Sequence, residues 1–248
     1  MNLILAAHGT RMPAGVATIG DLEAQVSALL GRTVQVAFVD VLGPTPSEVL
    51  SRVADGRAIV VPAFLSRGYH VRTDLPAQVA ASGHPDVVVT PALGQGGEVA
   101  RIVFHQLMKS GWRPGDSVVL GAAGTSDHRA RADLHTTATL LSALTGSRVN
   151  LGFAATGAPH VHEAVASAHR DGARRVVVAS YLLADGLFQQ RLRDCGADLV
   201  SQPLGTHPGL ARLIANRFRR AAGQRPRPRS NSVERKALHA RHANARNA

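Results

Sequence analysis

The chain has 248 residues, 45% of them hydrophobic, which is enough to bury one large core or two smaller ones and excludes an intrinsically disordered protein. Its formal charge of +11 suggests a nucleic-acid partner until it is divided along the chain: Arg225, Arg227, Arg229, Arg235, Lys236, Arg241 and Arg246 against Glu234 put six of those charges in residues 221–248. The rest is only mildly basic, and a single cysteine, Cys195, excludes an internal disulfide and any CxxC-type zinc or iron–sulfur site.

Residues 3–7 form the first short apolar run, which reads as a buried strand ending at His8 and Gly9. The run at 2–7 is too short to cross a membrane and lacks the charged lead of a signal peptide, so a cytoplasmic protein with no membrane partner is expected. Ile19, Leu22, Val26, Leu29 and Leu30 then recur at helical spacing, and Gly31 closes the helix. Further β-rich runs at 34–39, 58–64 and 87–90 are each followed by a helical pattern, and the 34–40 run (VQVAFVD) ends at Asp40. Such alternation predicts βαβ units in a parallel sheet, and the absence of polar alternation within the strands predicts helices on both faces.

The second half repeats the first. LAAHGT (5–10) matches LGAAGT (120–125), AIVVPAFL (58–65) matches RVVVASYL (175–182), and LGQGGEVARI (93–102) matches LGTHPGLARL (204–213). The expected fold class is therefore α/β, with two homologous flavodoxin-like lobes at 1–112 and 113–220, each a four-stranded parallel sheet. GWRPGDS (111–117) reads as the linker. Residues 221–248 read as a basic, disordered, solvated tail, and nucleic acid is not expected as a partner.

Duplication also supplies an internal control, because residues shared by the copies serve the fold while differences can mark chemistry. His8 aligns with Ala123 and His70 with Phe188, so both histidines belong to the first lobe alone. In a flavodoxin-like order strands 2, 1 and 3 are neighbours, and ligands bind outside their carboxyl ends. His8, Asp40 and His70 lie at or just beyond those three ends, and two imidazoles with a carboxylate suit a divalent first-row metal such as iron, cobalt or nickel. The remaining candidates are read as structural: Cys195 as a buried thiol on a helix, LGQGGE (93–98) as a turn, and His84, His105, His128, His135, His169 and His207 as surface residues. His160 and His162 join them, because positions two apart on a helix do not share a face.

LAAHGTR (5–11), VAFVDVLGPTPSEVL (36–50) and FLSRGYHVRTDLP (64–76) resemble the class II tetrapyrrole chelatases, specifically the sirohydrochlorin chelatases that serve sirohaem or cobalamin synthesis. The likeness to the two-lobed forms covers nearly the whole chain except the tail. It implies a chelatase-like fold, a lyase that inserts Fe2+ or Co2+, with Ni2+ also accommodated, into sirohydrochlorin, and no tightly bound cofactor. His8 and His70 take the family's catalytic and metal-handling pair, and Asp40 falls where many members carry a glutamate. Because the substrate is rimmed with carboxylates, Arg11, Arg67 and Arg72 are expected to bind it. Gly9 and Gly68 would let the backbone approach the ring, with Ser66 and Tyr69 adding hydrogen bonds. Lacking the histidine pair, lobe two is expected to have no active site, and the chain to be a monomer with an internal pseudo-dimer. No GxxxxGK[ST] loop is present, so insertion should not need ATP. A non-catalytic carrier of metal or tetrapyrrole using the same cleft is the alternative.

Overall fold

The computed structural model describes residues 1–53, 55–94, 96–205 and 207–224. Strands β1 (Asn2–Ala7), β2 (Gln35–Phe38), β3 (Ala58–Pro62) and β4 (Val87–Val89) form one parallel sheet in the order β2-β1-β3-β4. Strands β5 (Ser117–Gly124), β6 (Val149–Thr156), β7 (Val176–Tyr181) and β8 (Leu199–Val200) form a second in the matching order β6-β5-β7-β8. Adjacent residues Ile4 and Leu5 are both fully buried, on opposite sides of the first sheet, which is why the strands read as continuous apolar runs.

Eight α-helices, α1 (Pro13–Leu30), α2 (Pro46–Arg52), α3 (Leu75–Ala81), α4 (Gly97–Lys109), α5 (His128–Thr145), α6 (Val161–Arg170), α7 (Leu187–Arg193) and α8 (Pro208–Gly223), cover the sheets among the described residues. In α1, Pro13 opens the first turn, Ile19, Leu22 and Val26 are buried, and Gly31 closes the helix in the left-handed conformation. Leu29, expected on the buried face, is exposed.

The two lobes exchange their last helices. Helix α4 follows the first sheet but packs on α5 and β7, and α8 follows the second sheet but packs on α1 and β3. Consequently one core cluster contains Leu5 and Val61 of the first sheet together with Leu120 and Ala179 of the second. The 111–117 stretch separates two repeats of sequence but not two cores. It is a firm turn, in which the Asp116 carboxylate accepts from the Arg113 backbone N–H at 2.8 Å and from Arg175 at 2.7 Å.

Several readings from sequence change. Helix α8 runs to Gly223, beyond the boundary at residue 220, because its apolar face continues through Phe218 and Ala221; residues 225–248 lie outside the described part. His207 is buried rather than on the surface. Its Nδ1 accepts from the Gly209 N–H at 2.9 Å, so Nε2 carries the proton and donates to His105 Nδ1 at 2.7 Å, linking α8 to α4. His160 and His162 stack with ring centroids 5.8 Å apart, because His160 is the extended N-cap of α6 and the helical-face argument does not reach it. Cys195 is buried as expected but sits in the turn after α7, where desolvation pushes its thiol pKa up. Among the described residues no helix is long and apolar enough to cross a membrane.

Candidate metal centre

The β1–β2 ladder continues past the strand ends. Val39 N–H donates to the Ala7 carbonyl at 2.9 Å and Gly9 N–H to the Asp40 carbonyl at 3.1 Å, so the two chains stay paired while presenting His8 and Asp40. A Cβ on Gly9 would lie 2.1 Å from that Asp40 oxygen, so only glycine lets the tips approach this closely. Gly9 therefore serves the approach of one strand tip to another. Gly124, at the same place in lobe two, would meet the Thr156 carbonyl at 2.0 Å, so this device belongs to the fold. Val41 follows Asp40 with a φ of 71°, a left-handed backbone that a β-branched residue adopts only under constraint, and its N–H donates to Asp40 Oδ1 at 2.7 Å.

From the end of β3 the chain runs through 63–69 into a single π-helical turn, His70–Asp74, that continues into α3. Such turns are rare and concentrate at functional sites. The His8 and His70 rings meet edge to face with centroids 4.6 Å apart. One ligand atom from each of His8, Asp40 and His70 lies within 4.8 Å of the others. Bonds of about 2.1 Å on either side of one ion span up to about 4.2 Å, so small side-chain rotations would close this set on a single metal.

The hydrogen bonds of the rings decide which nitrogen is available. His8 Nδ1 lies 2.6 Å from the Gly9 carbonyl, and His70 Nδ1 lies 2.6 Å from Asp74 Oδ2. Both oxygens can only accept, so each Nδ1 carries the proton and each Nε2 lone pair is free to bind a cation. Asp74 was missed by the reading from sequence, although its spacing of four from His70 within a helical segment was a usable signal.

A cleft of about 530 Å³ opens between the lobes, lined by His8, Gly9, Ser66 and His70 on one side. On the other side stand Ala123 and Phe188, the counterparts of the two histidines, with Ala155. Phe38 pairs with Ala7 and Phe153 with Ala122 in the two sheets, but the second register then shifts so that Thr156 takes the place beside Gly124 that Asp40 takes beside Gly9. The two histidines thus face Ala123 and Phe188, which cannot bind a metal, and Asp40 itself stands outside the cleft lining. Tyr181, beside them, donates its hydroxyl to the Leu65 carbonyl at 3.0 Å; burial pushes its pKa up to about 12.

The expected substrate-binding residues divide. Gly9 and Ser66 line the cleft, whereas Arg11, Arg67, Gly68, Tyr69 and Arg72 do not. Arg11 is exposed, Tyr69 is 66% exposed with its ring 6.2 Å from that of His70, and a Cβ on Gly68 would meet nothing. Arg67 and Arg72, expected to be free for substrate, are instead paired with carboxylates across the lobe interface. Arg67 donates to both oxygens of Asp133 at 2.7 and 2.8 Å, and Arg72 donates to Asp127. Donation to the Asp133 carboxylate raises the Arg67 pKa, while the Ala130 N–H, with help from Arg72, lowers that of Asp127.

A family model described as CbiX matches residues 2–110 and 117–221. A sirohydrochlorin cobaltochelatase of Priestia megaterium is 28% identical over 237 residues, which are 88% of this chain and 74% of that protein. A sirohydrochlorin ferrochelatase of the same organism is 22% identical over 236 residues, 88% of this chain and 89% of that protein. Among solved structures, SirB from Bacillus subtilis with Fe3+ shares the fold, with a TM-score of 0.76 and 22% identity over 90% of this chain and 96% of that one.

Proposed function

Since this chain belongs to the CbiX family, we propose that it is a metal chelatase that inserts Fe2+ or Co2+ into sirohydrochlorin without ATP, for sirohaem or cobalamin synthesis. The single observation that carries this reading is the convergence of His8, Asp40 and His70 beside a cleft large enough for an organic ring. The names of the two Priestia megaterium relatives point to the same reaction with either metal. We assign one active site, in residues 1–112, with residues 113–220 completing the cleft as the second half of an internal pseudo-dimer. The cytoplasm is its expected compartment.

Insertion exchanges two pyrrole N–H protons for one divalent ion, so the protein must hold the ion loosely, hand it over and accept two protons. Two neutral imidazoles meet both needs. Each Nε2 is a metal ligand before transfer, and once released its lone pair can take a pyrrole proton. Asp74 then faces an imidazolium at His70, which its carboxylate stabilises through Nδ1. Asp40 offsets the charge of the incoming ion, and its position on an exposed rim suits capture from solution. A set of three ligands leaves coordination positions open for the macrocycle, where a closed four-ligand cage would retain the metal.

The test is anaerobic mixing of the protein with sirohydrochlorin and Fe2+ or Co2+, following the absorbance change against a blank without protein. Acceleration well above the blank, lost in His8→Ala and in His70→Ala, is expected. Retained turnover in both single variants would refute the residue assignment. Stoichiometric binding without acceleration would make the protein a carrier of metal or tetrapyrrole.

A further inference from the structure

The segment that carries His70 is held from the opposite lobe. Tyr181 binds the Leu65 carbonyl, Asp133 takes the guanidinium of Arg67, and Asp127 takes that of Arg72. Arg67 precedes His70 by three residues and Arg72 follows it by two, so two carboxylates grip the chain on either side of the imidazole. Among the described residues, apart from the Val71 and Arg72 N–H groups of the π-helical turn that donate to the Gly68 carbonyl, the hydrogen bonds that tie 65–69 to other elements come from lobe two.

One carboxylate caps α5 and the other stands in its second turn. Asp127 is its N-cap: Oδ1 accepts from the N–H groups of Arg129 and Ala130 at 2.8 and 3.0 Å, which leaves Oδ2 for Arg72. Asp133 lies further along the same helix, with its side chain only 15% exposed. The equivalent positions on α1, counted from Gly9 as these are from Gly124, are Met12 and Thr18, and Met12 makes no side-chain cap. The repeat is therefore asymmetric in a complementary way, with histidines kept in lobe one and the acids that steady one of them kept in lobe two.

We propose that Asp127 and Asp133 are positioning residues, which act through Arg72 and Arg67 to hold His70 opposite His8. This rests on the chelatase reading for its kinetic consequence but not for its effect on metal binding. His8 needs no such help, because it sits directly on the β1 tip beside the β1–β2 ladder. His70 stands eight residues past the end of β3 and cannot inherit the sheet's rigidity. A corollary is that Arg67 and Arg72 are committed to the protein rather than to substrate carboxylates.

The experiment uses the full chain and two readouts, Co2+ titration followed by visible absorption without tetrapyrrole, and steady-state insertion into sirohydrochlorin. Asp127→Asn retains a helix N-cap and Asp133→Asn retains volume, so both variants should keep the wild-type thermal midpoint closely enough to be compared as folded proteins. Each should weaken Co2+ binding and lower kcat by about tenfold, with KM for sirohydrochlorin unchanged, as expected when a group that orients a ligand is lost. The charge-swapped pair Arg67→Asp with Asp133→Arg should recover most of the kcat lost in Arg67→Asp alone. Unchanged Co2+ affinity and kcat in the Asp127→Asn, Asp133→Asn double variant would overturn the proposal. So would a raised KM at constant kcat, or failure of the swap to rescue, since either marks the arginines as substrate contacts. Wild-type protein that binds Co2+ but does not accelerate insertion would end the chelatase reading while the Co2+ comparison still judges the positioning role.

Discussion

Asp74 turns His70 from a freely rotating ring into one with a defined tautomer. Its carboxylate lies 2.6 Å from Nδ1 and accepts that proton, and the ring meets that of His8 edge to face with centroids 4.6 Å apart. Partners of this kind orient a ligand and raise its basicity. Asp74→Ala should therefore weaken Co2+ binding by about 10- to 100-fold, read by titration, while the fold is retained. The same interaction could have been anticipated from HVRTD (70–74), because groups four apart on a helix are neighbours. The partners of Arg67 and Arg72 could not. Asp133 and Asp127 lie more than fifty residues away in sequence, and no local pattern marks which carboxylate an arginine will meet.

At the level of elements, the pairing that matters most after the strand tips is the contact between α4 and the start of α8. His105 and His207 share one proton-mediated bond there, with Lys109 and Arg212 also facing His207. Desolvation, followed by the electrostatic influence of the neighbouring His105, depresses the His207 pKa below its ordinary value near 6.5. The unfolded chain consequently takes up a proton that the folded chain resists. Stability from this group is fully present above about pH 6.5 and is lost as pH falls toward the depressed folded value. Thermal midpoints measured from about pH 7.5 down to about pH 5.5 should fall more steeply in wild type than in His207→Asn, which keeps an N-cap acceptor but does not titrate. An equal slope in the two proteins would remove His207 from the explanation.

For the whole molecule, the exchange of terminal helices makes the two repeats interdependent. Val99, Ile102, Val103 and Leu107 of α4 are buried, as are Leu210, Leu213, Ile214 and Phe218 of α8. Each such side chain gains about 1.5–3 kcal/mol on burial, so neither half can leave its last helix uncovered. Residues 1–112 and 113–224 produced separately should self-associate or aggregate. Mixed together, they should assemble one to one and regain Co2+ binding, as judged by light scattering and titration. Stable monomeric halves would contradict the shared core. The repeat itself was legible from three matched segments, but the exchange was not, because the sequence order of helices says nothing about which sheet each one covers.

Hydrophobic pattern and matched segments are legible in the chain itself, and with a flavodoxin-like strand order they were enough to anticipate the α/β class, the duplicated lobes and the meeting of His8, Asp40 and His70 beyond the carboxyl ends of neighbouring strands. Three-dimensional packing decided the rest. It set the Gly9 N–H against the Asp40 carbonyl, paired Arg67 and Arg72 with carboxylates of lobe two, buried His207, and placed Ala123 and Phe188 across the cleft from the two histidines. Each of these depends on groups that only the folded backbone brings within bonding distance, and such pairings are encoded in the chain as a whole rather than in any stretch of it.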